Sequence, residues 1–330
     1  MRKLNQGMGH SFNYSTRLNS FKARPDLYPW RSGSHSPLDL IERAASVTQL
    51  DSVELNYPEH FATHSPAEVR ACLSATHLTV SGINLRYDAP RFLDGGFTNP
   101  EATKRAEAIQ VTLDAMDACR QLGGTHVVIW PAYDGFDYTF EADYAQIWNW
   151  EVAALRAVAA DAGDLRVSIE YKPSDPRKFS LLGNIGATLL AIEECGAPLG
   201  VTLDFCHMLM ANEQPALSAA LCIRKHKLFG IHLNDGYGQL DDGLMVGSVH
   251  LMQTVELLYY LVQARYDGVI YFDTFPTRED PVQECAANIT RVEQLAALVK
   301  RFDLATLRRT FDAQDGFQNN LLVWEALLAR

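Results

Sequence analysis

The amino-acid sequence predicts an α/β fold, a (β/α)8 (TIM) barrel with a short helical C-terminal extension. Short apolar or β-branched runs alternate with longer amphipathic stretches, and no long linker or low-complexity segment separates them. Eight such pairs can be counted, which is the number of strand–helix units in this barrel. A doubly wound open sheet is the alternative, but no glycine-rich phosphate loop follows the first predicted strand.

The predicted strands are short runs rich in valine, isoleucine, leucine and aromatic residues. In chain order they cover residues 10–14, 52–56, 78–85, 125–130, 165–170, 200–204, 229–234 and 269–273. The predicted helices cover residues 37–48, 66–75, 100–122, 140–162, 185–195, 214–223, 249–264 and 281–301.

Several predicted helices begin with proline in the first turn, directly after a capping residue. The pairs are Ser36-Pro37, Ser65-Pro66 and Asn99-Pro100, and proline at this point costs no hydrogen bond. The barrel is therefore assigned to residues 1–301. Residues 302–330 are predicted to form a helical tail that packs on the barrel or on a neighbouring subunit.

The composition is that of a large globular protein, with 47% hydrophobic and 21% charged residues, which is enough to build one extensive core. The net charge of −11 argues against a nucleic-acid partner, because phosphate binding relies on clustered lysine and arginine. It is compatible with a carboxylate-rich cation site.

The cysteines and the N-terminus predict a soluble, cytoplasmic protein with no membrane partner. Six cysteines are scattered singly, which is typical of reduced cytosolic thiols rather than of a disulfide framework. The N-terminus has no apolar signal region, and no apolar run reaches the roughly 18 residues needed to span a bilayer.

Four successive predicted strands end in residues that can bind a metal. They are Glu170, Asp204, His232 and Asp273. A single such residue is more often a helix cap or a core histidine, but barrel enzymes collect their chemistry at the carboxyl ends of the strands. Three carboxylates and one imidazole favour Mn²⁺, Mg²⁺ or Co²⁺ over Zn²⁺.

Lys172 follows Glu170 on the same side of its strand, because a strand has a period of two. The pair is either a structural ion pair or a metal ligand beside an electrophilic group, and the series of polar strand ends favours the second interpretation. Trp130, at the end of the fourth predicted strand, is either an apolar wall of the site or a core residue.

A second, weaker cluster consists of His207, Asp241 and Asp242. These residues could hold a second cation near the first. The alternative for the two aspartates is a solvated acidic turn, and the spacing alone does not choose between the two.

Several segments resemble xylose isomerases, in the same order along the chain. IEYKPSDPR at residues 169–177 is similar to that family's Glu-x-Lys-Pro-x-x-Pro-Arg segment. DGGFTNPE at 94–101, Trp130 at a strand end and DTFPTRED at 273–280 also resemble the family. The resemblance runs from about residue 78 to residue 280 and implies a barrel that carries two divalent cations and interconverts aldoses and ketoses.

The resemblance also implies roles for individual residues. The ligands of the structural cation would be Glu170, Asp204, His232 and Asp273, and those of a second cation His207, Asp241 and Asp242, with Asp204 bridging. Lys172 would hydrogen-bond the carbonyl end of the open-chain sugar, and Trp130 would be the aromatic wall. The family further implies a homodimer or homotetramer.

The chain departs from the xylose isomerase pattern in ways that resemble L-rhamnose isomerase. His232 replaces a carboxylate, and Asp204 replaces a longer glutamate. The family's ring-opening histidine is replaced by ELNYP at residues 54–58, with His60 and His64 out of register. We therefore expect a sugar that is largely acyclic, short, branched, or of the L- or deoxy-series.

An aromatic residue after the third strand becomes Arg86 or Tyr87, depending on the placement of a one-residue insertion. Together with Asn56 and Trp130, these two residues are the predicted substrate contacts.

The predicted function is metal-dependent aldose–ketose isomerisation by a 1,2-hydride shift, with Lys172, Asp204 and His207 as catalytic residues. The alternative within enzymes is a ketose 3-epimerase, which needs two carboxylates and gives Lys172 no role. The non-enzymatic alternative is a sugar-binding barrel without turnover. Apurinic endonucleases share the superfamily, but their substrate conflicts with the acidic charge.

Overall fold

The computed structural model describes residues 11–30 and 35–329. Eight parallel strands close into a barrel: β1 (Asn13–Arg17), β2 (Ser52–Tyr57), β3 (Thr79–Arg86), β4 (His126–Trp130), β6 (Arg166–Glu170), β8 (Gly200–Asp204), β9 (Leu228–Leu233) and β10 (Val269–Phe272). β1 pairs with both β2 and β10, which closes the sheet. Two further short strands, β5 (Gly135–Phe136) and β7 (Phe179–Ser180), form an antiparallel ribbon.

Helices separate the strands and continue beyond the last one. They are α1 (Pro37–Ala44), α2 (Pro66–Ser74), α3 (Ala102–Leu122), α4 (Tyr144–Ala160), α5 (Ile185–Cys195), α6 (Phe205–Met210), α7 (Pro215–Arg224), α8 (Leu251–Gln263), α9 (Pro281–Lys300), α10 (Leu304–Asp312) and α11 (Gly316–Leu328). Short 3-10 turns occupy Leu18–Lys22, Pro25–Leu27 and Glu59–Phe61. None of the described helices combines the length and apolarity needed to cross a membrane.

The predicted (β/α)8 barrel is confirmed, and seven strands match their predicted bounds to within one residue at each end. The first prediction, residues 10–14, starts outside the described residues and ends too early. The observed strand extends to Arg17, through Ser15 and Thr16. These polar residues are buried because they pair with β2 and β10, and a polar run of this kind gives no apolar signal.

The helix starts at Ser36 and Ser65 are as predicted, since each serine closes a capping box with proline in the first turn. The third prediction is wrong, because α3 begins at Ala102 rather than at Pro100. Here the Asn99 side chain donates to the Gly95 carbonyl and accepts from the Glu101 N–H. These bonds hold the segment in a turn before the helix starts.

Alternation along the strands gives each one an apolar side and a polar side. In β6, Val167 and Ile169 are fully buried in the hydrophobic core, while Ser168 and Glu170 share the opposite side. In the C-terminal extension, Leu307 of α10 is buried, and α11 packs against the core through Val323 and its neighbours.

Candidate metal centre

Four side chains from four neighbouring strands meet at the carboxyl end of the barrel. Glu170 ends β6, Asp204 ends β8, His232 lies in β9 and Asp273 follows β10. All four are buried, and one ligand atom from each lies within 4.8 Å of the others. The structure therefore brings together the four residues that were chosen from strand ends alone.

His232 lies between two carboxylates. Its Nδ1 is 3.3 Å from Glu170 Oε1, and its Nε2 is 3.7 Å from Glu54 Oε2. Burial opposes a charge on this imidazole, but Glu170 and Glu54 outweigh burial and raise the pKa of His232 well above its usual range. The site thus has an excess of negative charge that favours a bound cation.

His207 approaches the same Glu170 oxygen as His232. Its Nδ1 is 3.5 Å from Glu170 Oε1 and its Nε2 is 3.2 Å from Asp241 Oδ2. Burial opposes its charge, yet Asp204 and Asp241 raise the pKa of His207 to about 9. Burial raises the pKa of Asp204 to about 7, against the effect of His207.

The buried polar atoms of this centre indicate a missing partner. Among the described residues, no hydrogen-bond partner is found for five buried atoms: His207 Nδ1, both nitrogens of His232, Asp241 Oδ1 and Asp273 Oδ1. Buried polar groups are almost always paired, so an unpaired cluster needs an explanation. A divalent cation held by the four-residue cluster fits, because its ligands are carboxylate oxygens and an imidazole nitrogen.

The second predicted group is only partly brought together. His207 and Asp241 line the same cavity, whereas Asp242 accepts a hydrogen bond from the Tyr237 N–H outside it. Instead, Cys206 comes close, and one ligand atom each of Asp204, Cys206 and Asp241 lies within 4.8 Å of the others. Cys206 lies in the first turn of α6, which is capped by the Asp204 side chain.

A cavity of about 260 Å³ opens beside the cluster. Its lining residues are Arg17, Asn84, Leu85, Arg86, Trp130, Glu170, Lys172, Asp175, His207, His232, Asp241, Tyr271, Asp273 and Phe275. Lys172 Nζ donates to Asp175 Oδ2 at 3.1 Å and to Asp241 Oδ2 at 3.3 Å. Burial would lower the pKa of Lys172, but Asp241 and Asp175 raise it, so the ammonium stays charged.

The predicted substrate contacts divide into two that line the cavity and two that do not. Trp130 lines it, and the Arg86 guanidinium carbon lies 5.3 Å from the Trp130 ring centroid. Tyr87 is buried on the other side, where its hydroxyl bonds Thr112 of α3. The period of two along the strand explains why only one of these neighbours faces the cavity.

Asn56 does not line the cavity, because its side chain donates to Glu59. His60 accepts from the Asn56 N–H and bonds Asn19 through Nε2. Burial lowers the pKa of His60 to about 4, so this histidine is a neutral structural residue. It does not take the place of the family's ring-opening histidine.

Three important residues were not predicted from the sequence. Asn234 donates to Asp204 Oδ2 at 3.0 Å and to the Asp273 carbonyl at 3.1 Å, and so ties two ligands together. Glu54 contacts His232, and Arg17 Nε is 3.4 Å from Asp273 Oδ1. Asn234 could have been found, since it lies two residues after His232, on the same side of the chain.

Comparison with known proteins agrees with this geometry. Residues 41–302 match the family model described as a xylose isomerase-like TIM barrel. The chain belongs to this family. A xylose isomerase from Thermus thermophilus is 31% identical over 201 residues, which cover 59% of this chain and 52% of that protein. The chain thus spans about half the length of the curated relatives it matches.

Solved structures share the fold over most of the chain. A D-tagatose 3-epimerase-like protein superposes with a TM-score of 0.68 at 16% identity, covering 87% of this chain and 98% of that one. A xylose isomerase domain protein from Alicyclobacillus acidocaldarius gives 0.65 at 18% identity, covering 88% and 99%. At these identities the likeness establishes the barrel fold and nothing finer.

Proposed function

We propose that this protein is a metal-dependent sugar isomerase that interconverts the aldose and ketose forms of a small open-chain monosaccharide. The observation that carries this proposal is Lys172, a buried ammonium in the same cavity as the centre of three carboxylates and one imidazole. A charged lysine beside a cation site suits a reaction in which a carbonyl oxygen gains negative charge.

The residues that would hold the cation are Glu170, Asp204, His232 and Asp273. When bound, a divalent cation polarises the carbonyl and lowers the pKa of the neighbouring hydroxyl. Mn²⁺, Mg²⁺ and Co²⁺ are the candidates, because oxygen ligands predominate.

The protein side chains would divide the remaining work. Lys172 would bind O1 and stabilise the charge that develops there. Asp204 and His207, which lie beside the cation site, would manage the hydroxyl proton at O2. Trp130 would exclude water from the carbon chain, which favours direct transfer of hydrogen between C2 and C1.

A ketose 3-epimerase is the second candidate, and one observation favours it. Glu170 and Asp273 both belong to the ligand cluster and both line the cavity, so two carboxylates could act on one carbon as acid and base. This scheme leaves Lys172 without a role. We therefore rank isomerisation first.

The test is a panel of aldoses and ketoses assayed with Mn²⁺, Mg²⁺ or Co²⁺, before and after chelation. Isomerisation by hydride shift predicts an aldose–ketose product that retains deuterium from a C2-labelled aldose. Epimerisation predicts a C3 epimer and loss of a C3 label to solvent. No turnover with any sugar and metal would contradict both enzymatic candidates and favour a sugar-binding barrel.

A further inference from the structure

The cavity contains three cationic side chains, which is unusual for a protein of net charge −11. Arg17 ends β1, Arg86 ends β3, and both line the cavity together with Lys172. Three cationic side chains around about 260 Å³ are more than the proposed isomerisation requires, since only Lys172 has a role at the carbonyl.

The three cations differ in how they are neutralised. Lys172 lies between Asp175 and Asp241. Arg17 has Asp273 at 3.4 Å, but that carboxylate also belongs to the ligand cluster. Arg86 is different, because within residues 11–30 and 35–329 no carboxylate oxygen lies within 4.0 Å of its guanidinium and no hydrogen bond is made by it.

Two other arginines that pack on aromatic rings also have an oxygen that accepts their N–H groups, unlike Arg86. Arg91 lies over Phe92 and pairs with Glu107 at 3.3 Å. Arg105 lies over Trp150 and donates to the Asn99 carbonyl. In both cases the ring covers one face of the guanidinium while an oxygen accepts its N–H groups.

Arg86 packs on an aromatic ring, but no oxygen of the described residues accepts its N–H groups. Its guanidinium lies over Trp130, yet its buried Nε makes no hydrogen bond to any described residue, and the same holds for Arg17 Nε. Stacking on an indole satisfies the face of the cation but not its donors. A guanidinium fork that faces a cavity with free donors matches an oxyanion, which accepts two parallel hydrogen bonds.

We propose that the substrate carries a carboxylate or a phosphate at the end remote from its carbonyl, and that Arg86, assisted by Arg17 in the same cavity, binds this oxyanion. The inference rests on the proposed function, because it names the substrate class of the same site. The cation cluster takes the hydroxyls, Lys172 takes the carbonyl oxygen, and Arg86 takes the anionic end.

The test uses three acyclic probes of one stereochemistry: ribitol, D-ribonate and D-ribitol 5-phosphate. Their affinities for the Mn²⁺-loaded protein are measured by calorimetry. We expect at least one anion to bind roughly tenfold or more tightly than ribitol, and the better anion identifies the source of the oxyanion. Arg86→Met should remove most of this advantage, judged by the ratio of anion to ribitol affinity in the same variant.

Two further variants control the experiment. Arg91→Met removes an exposed arginine that also lies over a ring, and it should leave all three affinities unchanged. Arg86→Lys keeps the charge but loses the fork, so part of the anion advantage should remain. This second variant also serves if Arg86→Met does not fold, as judged by circular dichroism.

The inference is overturned if neither anion binds more tightly than ribitol, including the case in which none binds measurably. It is also overturned if the advantage survives in both Arg86→Met and Arg17→Met, because the anion then binds the cation instead. Isomerisation of neutral sugars without an anion preference would contradict this inference alone. Arginine-dependent anion binding without any isomerisation would contradict the proposed function and leave the oxyanion site standing.

Discussion

The two ends of the barrel interior are both polar, but they are polar in different ways. At the amino end, His126 Nε2 bonds Ser168 at 2.7 Å, and Ser168 bonds Thr202 at 2.7 Å. Burial lowers the pKa of His126 to about 4, so this histidine is neutral. The side chains of this amino-end layer are hydrogen-bonded to one another. At the carboxyl end, His207 has a pKa raised to about 9 beside Asp204 and buried atoms remain unpaired.

The contrast is informative because the same strands supply both layers. β6 carries Ser168 in the layer at the amino end and Glu170 in the layer at the carboxyl end. β8 carries Thr202 and Asp204 in the same two layers, and in each strand the two residues are two positions apart. Polar residues inside a barrel are therefore not evidence of a site by themselves. What distinguishes the carboxyl end is a group of buried polar atoms that have no hydrogen-bond partner in the described part of the chain.

The largest effect on metal affinity should appear when substitutions in the two layers of one strand, β6, are compared. Glu170→Gln removes a ligand, and we expect divalent-metal affinity to fall at least about a hundredfold, with loss of activity. Ser168→Ala, one step lower on the same side, should leave metal affinity unchanged and cost about 1–2 kcal/mol of stability. Calorimetric metal titration and urea unfolding check both, and equal metal affinities in the two variants would erase the contrast.

Lys172→Met tests whether the ammonium group at the carboxyl end of the barrel takes part in the reaction. We expect kcat to fall by roughly two orders of magnitude, because the positive charge at the carbonyl oxygen is lost, while metal affinity changes little. Steady-state kinetics with the best sugar of the panel measures the first quantity. The matched control is Lys225→Met, which removes an exposed lysine paired with Glu193 at 3.3 Å and should be silent. Full activity in Lys172→Met would contradict the proposed function.

Glu54 connects the two layers, so its removal should have an intermediate effect. It accepts from Ser81 Oγ at 3.3 Å and from Asn84 Nδ2 at 2.9 Å, and it faces His232 Nε2. A carboxylate behind a ligand histidine orients the ring, so Glu54→Gln should weaken metal binding roughly tenfold. Glu59→Gln, on the following loop, is the control. Unchanged metal affinity in Glu54→Gln would mean that His232 is oriented by other contacts.

The smallest expected effect is on the pH dependence of the free energy of unfolding, and it comes from His126 at the amino end of the barrel. Unfolded His126 takes up a proton near pH 6.5, whereas the folded residue does so near pH 4. Its contribution is therefore fully present above about pH 6.5 and is lost as the pH falls towards 4. His126→Gln keeps a donor for Ser168 and cannot be protonated.

Relative to this variant, the wild type should lose about 1 kcal/mol of unfolding free energy between about pH 7.5 and 5.5. Urea unfolding in the presence of a chelator measures this difference without a contribution from the metal centre. A stability difference that is the same at both pH values would show that His126 is not held neutral by burial.

The fold was predictable because its signals are local and repeated. Eight apolar runs separated by amphipathic stretches were enough to predict the barrel, and serine-proline caps located two helix starts. The first strand was misplaced because Ser15 and Thr16 are buried by pairing rather than by apolar character. The ribbon of β5 and β7 has only two residues in each strand and leaves no detectable periodicity.

The ligands were predictable from strand ends, but their neighbours were not. Arg17 was overlooked because the first strand was ended three residues too early, at Tyr14. Glu54 lies at a register shift between β2 and β3, so its direction cannot be obtained by counting along the strand. The choice between Arg86 and Tyr87 needed the register of β3 against β4, where Arg86 pairs with Trp130.

Trp130 has a property that the chemistry does not require. Arg86 and Lys172 both lie over its indole, at 5.3 Å and 5.4 Å from the ring centroid. The emission of an indole responds to the electric field of nearby charges, and a bound molecule that draws either cation towards itself changes that field. The protein therefore carries an intrinsic fluorescent reporter in the lining of the cavity. Because it is one of five tryptophans, a Trp130→Phe difference spectrum would isolate its signal and allow ligands to be screened without an assay for turnover.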